Sequence, residues 1–169
     1  MNIKKHLLLL LALIPTLASA QFVRRTQKCG EVKAESGTTC EFRVTEDMDI
    51  PTGRWTGHVA IMNISSRMEA GGGNVLYDEL APLIQTLRYA KDNPPASGDD
   101  GVTKVVFRAE DYLEFSCEPG YGSHPGAFID ISPAKPGPGI AARIPWENLD
   151  ALISMLEKCK AVMDPHCGK

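Results

Sequence analysis

Catalytic signatures are what this sequence has least of. It contains no HExxH, no His-x-His, no CxxC and no GxSxG. Those absences remove the helical zinc pair, the common zinc-ligand spacings and the nucleophile elbow of α/β-hydrolases. Long apolar runs are scarce too. Leu7 to Leu17 is the longest, and about eleven residues fall short of the roughly 20 that span a bilayer. Basic clusters are limited to Arg24-Arg25 and Lys158 with Lys160, and 18 Lys and Arg face 21 Asp and Glu for a formal net charge of -3. Without a basic face to neutralise phosphates, no nucleic-acid partner is expected.

The chain opens with Lys4 and Lys5, continues through the apolar Leu7–Leu17 stretch, and reaches the small residues Ala18-Ser19-Ala20. That order predicts a secretory signal peptide over residues 1–20, cut before Gln21. No Cys stands at the cut to take a lipid anchor. The expectation is a soluble protein, residues 21–169, forming one compact domain in the periplasm or outside the cell, with no transmembrane segment in its mature form.

Five cysteines, Cys29, Cys40, Cys117, Cys159 and Cys167, follow the leader. Export permits disulfides, and the odd count leaves one thiol over. Cys29 and Cys40 flank the hairpin-like GEVKAESGTT, and a bridge there would stabilise by roughly 3 kcal/mol in the chain-entropy account. Cys159, near the end of a helix, and Cys167, in the tail after Pro165, form the second expected clip. Cys117 is then a buried thiol, with a Cys117–Cys159 bridge as the competing arrangement.

Strands are predicted near Cys29–Val32, Thr39–Val44, Met48–Ile50 and Trp55–Ile64, and glycines 71–73 read as a break. Leu80, Leu83, Ile84, Leu87 and Ala90 mark one helix face. Pro82 fits only a first turn, so that helix is expected to start between Asp78, a candidate cap, and Ala81. The stretch Asn93–Gly101 reads as a linker. Strands follow in VTKVVFRAE, YLEFSC, AFIDIS and IAARI, and then a helix marked by Leu149, Leu152, Ile153, Leu156, Cys159 and Met163.

The second half repeats the first. With Trp146 set over Tyr77, an offset of 69, Leu149 falls on Leu80, Leu152 on Leu83, Ile153 on Ile84, Leu156 on Leu87 and Cys159 on Ala90. At an offset of 67, AFIDIS lies on AIMNIS, and FRAED at Phe107 resembles FRVTED at Phe42. The prediction is an α+β fold built from an internally duplicated β-β-β-β-α unit, with antiparallel sheets and two packed helices about a pseudo-two-fold axis. The expected boundaries are an N-terminal extension and disulfide hairpin over 21–40, a first repeat over 41–93, a linker over 94–101, a second repeat over 102–164 and a tail over 165–169. The β-β-β-β-α order is similar to the unit of the Whirly group of single-stranded nucleic-acid binding proteins, whose two copies pack into a two-fold body. The resemblance concerns topology, and the export signal and acidic balance oppose that group's nucleic-acid role here.

Chemistry is thinly represented. His58 and His124 fall at nearly equivalent places in the two copies, yet no ligand spacing accompanies them, and no metal or other cofactor is expected. Cys117 with His124 would give a Cys/His hydrolase, the least favoured reading. The Gly-flanked loops SSRMEAGGGN, EPGYGSHPG and SPAKPGPG are instead expected to bind, through Arg67, Met68, Tyr121, His124 and Lys135, at one end of the duplicated sheet. Tyr121, a ring between glycines, is the expected anchor. The chain therefore reads as a non-catalytic binder of another exported protein: an inhibitor or immunity-type protector against a secreted toxin or wall-active enzyme. A periplasmic small-molecule binding protein is the alternative.

Overall fold

A computed structural model describes residues 21–64, 69–98, 101–110, 113–120, 126–133 and 142–168. Strands β1 (Phe22–Lys33), β2 (Thr39–Asp49), β3 (Trp55–Ile64) and β4 (Glu69–Leu76) form an antiparallel meander, and helix α1 (Tyr77–Asp92) follows. A two-stranded ribbon, β5 (Ala96–Gly98) with β6 (Gly101–Thr103), connects the halves. Strands β7 (Val105–Arg108), β8 (Leu113–Glu118), β9 (Phe128–Pro133) and β10 (Ala142–Pro145) form a second meander, followed by a 3-10 turn at Trp146–Asn148 and helix α2 (Leu149–Cys167). The fold is the duplicated β-β-β-β-α architecture with two packed helices.

Alternating burial fixes which residues correspond. On β2, Cys40, Phe42 and Val44 face the core, and on β8 so do Leu113, Phe115 and Cys117. Phe42 pairs with Ile61 and Phe115 with Ile131, while Val44 pairs with Val59 and Cys117 with Ile129. One strand further, Val75 stands opposite Val59 and Ile144 opposite Ile129. The helix alignment holds: Leu80, Leu83, Ile84, Leu87 and Ala90 are buried, as are Leu149, Leu152, Ile153, Leu156 and Cys159. The strand alignment does not. It set Ile131 over Ile64, which is only half-buried, whereas the core equivalent is Ile61. An odd slip in a strand turns every side chain to the other face. The FRAED match fails similarly, because Phe42 lies on β2 while Phe107 lies on β7, the counterpart of β1.

Several boundaries also move. The first unit begins at Phe22, since β1 is the outer strand of its sheet, and Met48 belongs to a single long β2. Glycines 71–73 continue the chain as part of β4. At Gly73 the reason is close approach: a Cβ would stand 2.7 Å from Leu113 Cδ1, so a side chain there would force Leu113 to shift where β4 meets the second sheet. VTKVVFRAE divides between β6 and β7. Helix α1 starts at Tyr77 with Pro82 inside it, its first turn held by Glu79 Oε2, which accepts the Leu76 N–H at 2.8 Å. Helix α2 runs through Pro165 to Cys167, across residues expected to form a tail.

The second helix crosses to the first unit, and the first helix bridges both. Helix α2 lies across β1, β2 and β3 of the first sheet, and α1 packs on β7 of the second as well as on β3 and β4. One continuous apolar core results. Burying Leu149, Leu152, Ile153 and Leu156 on the far unit stabilises by on the order of 6–12 kcal/mol before conformational entropy is charged. Where the helices meet, Arg88 pairs with Glu157 and Lys91 Nζ lies 2.6 Å from Asp150 Oδ1. Arg88 and Glu157 are 69 residues apart, the helix repeat itself. A contact between equivalent residues marks the pseudo-two-fold axis.

Candidate functional site

The last turn of α2, absent from the shorter α1, projects past the core and builds a cleft against the far ends of β2 and β3. Gly53–Gly57, Leu76–Asp78, His166 and Cys167 line a cavity of about 520 Å³. Its floor is aromatic: the His166 ring stacks on Trp55 with centroids 4.7 Å apart and planes inclined by 27°. Below the stack lies Glu46, 3% exposed, whose Oε1 is 2.8 Å from His166 Nδ1. The other ring nitrogen, Nε2, faces Arg25 Nη1 at 3.5 Å. An arginine only donates, so these partners place the imidazole proton on Nδ1 and the lone pair on Nε2. Both ring nitrogens are thereby turned to protein partners.

The opposite wall comes from α1. Tyr77 Oη donates to Asp164 Oδ1 at 2.7 Å, Lys160 Nζ donates to the same oxygen at 2.6 Å, and the lysine also stands 5.4 Å from the centroid of the Tyr77 ring. The Lys160 ammonium and the Tyr77 hydroxyl hold the Asp164 carboxyl below its usual range. Cys167 Sγ sits over Gly57, where a Cβ would come within 3.0 Å of it. Burial raises the Cys167 pKa, and the charges of Glu46, Asp78 and Asp164 raise it further. The thiolate is the nucleophilic form, so this setting lowers the reactivity of Cys167. What the cleft offers is contact: an aromatic shelf, backbone near two glycines, and charges of both signs at the rim.

The expected binding residues Arg67, Met68, Tyr121, His124 and Lys135 lie outside the described residues. The strand ends flanking them are described. Ile64 stands beside Thr39, and a cavity of about 370 Å³ joins Ser36, Thr38 and Asn63 to Ser132 and Ala142. The connections carrying Arg67, Met68 and Lys135 thus leave from neighbouring strand ends. The connection carrying Tyr121 and His124 leaves from Glu118 and Phe128, at the other end of the second sheet from Pro133. The three loops do not depart from one end, because consecutive turns of a meander alternate ends.

No disulfide joins any two of the five cysteines in this structure. Cys40 stands opposite Val32, three residues along β1 from Cys29. That is about 10 Å of strand, and disulfides ordinarily need Cα atoms within about 7 Å. Cys159 and Cys167 share α2, two turns and about 12 Å apart. Neither expected bridge fits these positions. Cys117 is buried on β8, and burial pushes its thiol up to about 12, which disfavours the thiolate an attacking group needs. His58 lies on β3 opposite Thr45 and Leu76, outside the set that forms the cleft. Among the described residues no group of three His, Cys, Asp or Glu side chains is placed to hold a metal ion, and no helix is long and apolar enough to cross a membrane.

Sequence reasoning missed Trp55, Glu46, Tyr77 and His166 as a set. One signal was present: Cys159, Met163 and Cys167 continue the four-residue spacing of the buried helix face, so the helix could have been carried through Pro165. Nothing linear connects Glu46 to His166. No protein-family model matches this chain, and no curated protein matches it significantly in sequence.

Proposed function

We propose that this chain is an exported, non-catalytic protein that binds another exported macromolecule, in the manner of an inhibitor or immunity-type protector. The observation that carries the reading is the sealed interior. Phe42, Phe115, Leu80 and Leu152 are fully buried in one core shared by both units, which leaves recognition to the surface. The composition of residues 1–20 supports export, and the acidic balance favours a basic partner, such as a secreted toxin or wall-active enzyme, through electrostatic steering.

A second reading has its own support. The cleft floored by Trp55 and His166, about 520 Å³ in volume, has the size and mixed lining of a small-molecule site. A periplasmic carrier would use it.

Capture experiments separate the two. The exported protein serves as bait for the native exported fraction, alongside Tyr121→Ala and Trp55→Ala variants. Saturable capture of one protein, lost in Tyr121→Ala, supports the binder with the β8–β9 connection as its surface. Loss in Trp55→Ala moves that surface to the cleft. A small molecule released on denaturing the purified protein, and absent from Trp55→Ala, supports the carrier. Retention of the full-length protein in the cytoplasm would overturn both readings.

A further inference from the structure

The two thiols that the fold brings together are neither of the sequence-expected pairs. Strand β1 carries a bulge between Lys28 and Gly30, so Cys29 leaves the ladder with β2 and faces α2. Three contacts seat it there. The Cys29 carbonyl accepts a hydrogen bond from Lys158 Nζ at 2.6 Å. Gly30 lies against Met155, so close that a Cβ would stand 2.6 Å from its Cε. The Cys29 and Cys159 side chains also interact: burial first, and the Cys29 thiol beside it, raise the Cys159 pKa. Met155 and Cys159 are one helical turn apart, so strand and helix meet over that whole turn. Both thiols are buried, at 4% and 0% exposure.

We propose that Cys29 and Cys159 form a disulfide that joins the first unit's sheet to the second unit's helix. The oxidant is a disulfide, either a small-molecule thiol dimer or the active-site disulfide of a thiol oxidase. One cysteine thiolate attacks the oxidant, forming a mixed disulfide and expelling one thiolate. The other cysteine, as thiolate, attacks the protein sulfur of that mixed disulfide and expels the second. Two protein thiols are oxidised, one disulfide is reduced to two thiols, and two protons pass from the protein to the leaving groups. Burial pushes the Cys159 thiol well up, so exchange is slow in the closed fold. The bond forms during folding, or when the β1 edge lifts from α2. Cys40 and Cys117, each buried on its own strand, remain thiols, and Cys167 is the one partly exposed cysteine.

The test is a peptide map of the unmutated protein, refolded in a mixture of reduced and oxidised glutathione and alkylated after denaturation without reductant. The expected result is an intact mass lower by about two hydrogens, one cross-linked pair of peptides containing Cys29 and Cys159, and alkyl groups on Cys40, Cys117 and Cys167. Cys29→Ala and Cys159→Ala should each lose the cross-link and leave the other cysteine alkylated. Because the map is read on the natural sequence, it stands even if a variant fails to fold. Five alkylated cysteines, or a linked pair containing Cys29 with Cys40 or Cys159 with Cys167, would overturn the proposal.

Discussion

The two units share a plan and divide their lengths unequally. In the first, β1 and β2 run 12 and 11 residues, whereas their counterparts β7 and β8 run 4 and 6. The helices reverse the bias, 16 residues in α1 against 19 in α2. Because α2 crosses to the first unit, the longer helix covers the longer sheet. The lesson is where the duplication stops being symmetric. The shared core keeps equivalent residues in equivalent places, while the Trp55–His166–Glu46 cleft is made from the extra turn of α2 and the extra length of β2, and so occurs once.

The largest expected effect tests the shared core. Leu83→Ala and Leu152→Ala truncate equivalent, fully buried positions, and each should cost about 2–5 kcal/mol. Denaturant melts should show similar losses and a single transition in both. Two separable transitions would mean that the units are independent. Next comes a pair whose equivalence has been broken. Gly73 stands opposite Ile61 where Ala142 stands opposite Ile131. Gly73→Ala should cost about 1–3 kcal/mol by overpacking against Leu113. The reverse change, Ala142→Gly, should cost only about 0.5–1 kcal/mol.

The cleft supplies the third comparison. His166→Ala leaves the Glu46 carboxylate buried without its ring partner, at an expected cost of about 1–3 kcal/mol. The same change unstacks Trp55, so its fluorescence should shift to the red. His58→Ala, on the same sheet but outside the stack, should leave the emission unchanged.

Acidification should weaken the first sheet. Lys28 and then Arg43 lower the Glu41 pKa, and Arg24 lowers that of Asp47. A carboxyl depressed in the folded state contributes stability that is present above its unfolded pKa and lost as pH falls through the folded value. Unfolding midpoints measured between neutral and strongly acidic pH should fall below the usual carboxylate range. The fall should be shallower in Glu41→Gln. The smallest effect lies on the axis. Glu157→Arg would set Arg against Arg88, and Arg88→Glu added to it restores opposite charges. Both steps should stay within about 1 kcal/mol because the pair is exposed.

How much of this was legible follows from periodicity. The helix repeat could be read because five apolar positions at three-and-four spacing fix the buried face without reference to a partner. The strand repeat could not, because a period of two tolerates a slip that only cross-strand partners reveal, as Ile64 and Ile61 illustrate. Gly71-Gly72-Gly73 looked like a break because nothing local announces that Leu113 needs the space. The cysteines misled for the same reason: proximity in sequence suggested Cys29 with Cys40, while the bulge at Cys29 turns its side chain to α2.

The crossing of α2 also ties the first sheet to the last helix. The first sheet is complete once β4 has been made, yet the surface that α2 covers stays open until the final 19-residue helix arrives. A first unit without α2 leaves the apolar face of β1, β2 and β3 uncovered. The opening strands therefore depend, for the cover of their apolar face, on the helix furthest from them in the described sequence.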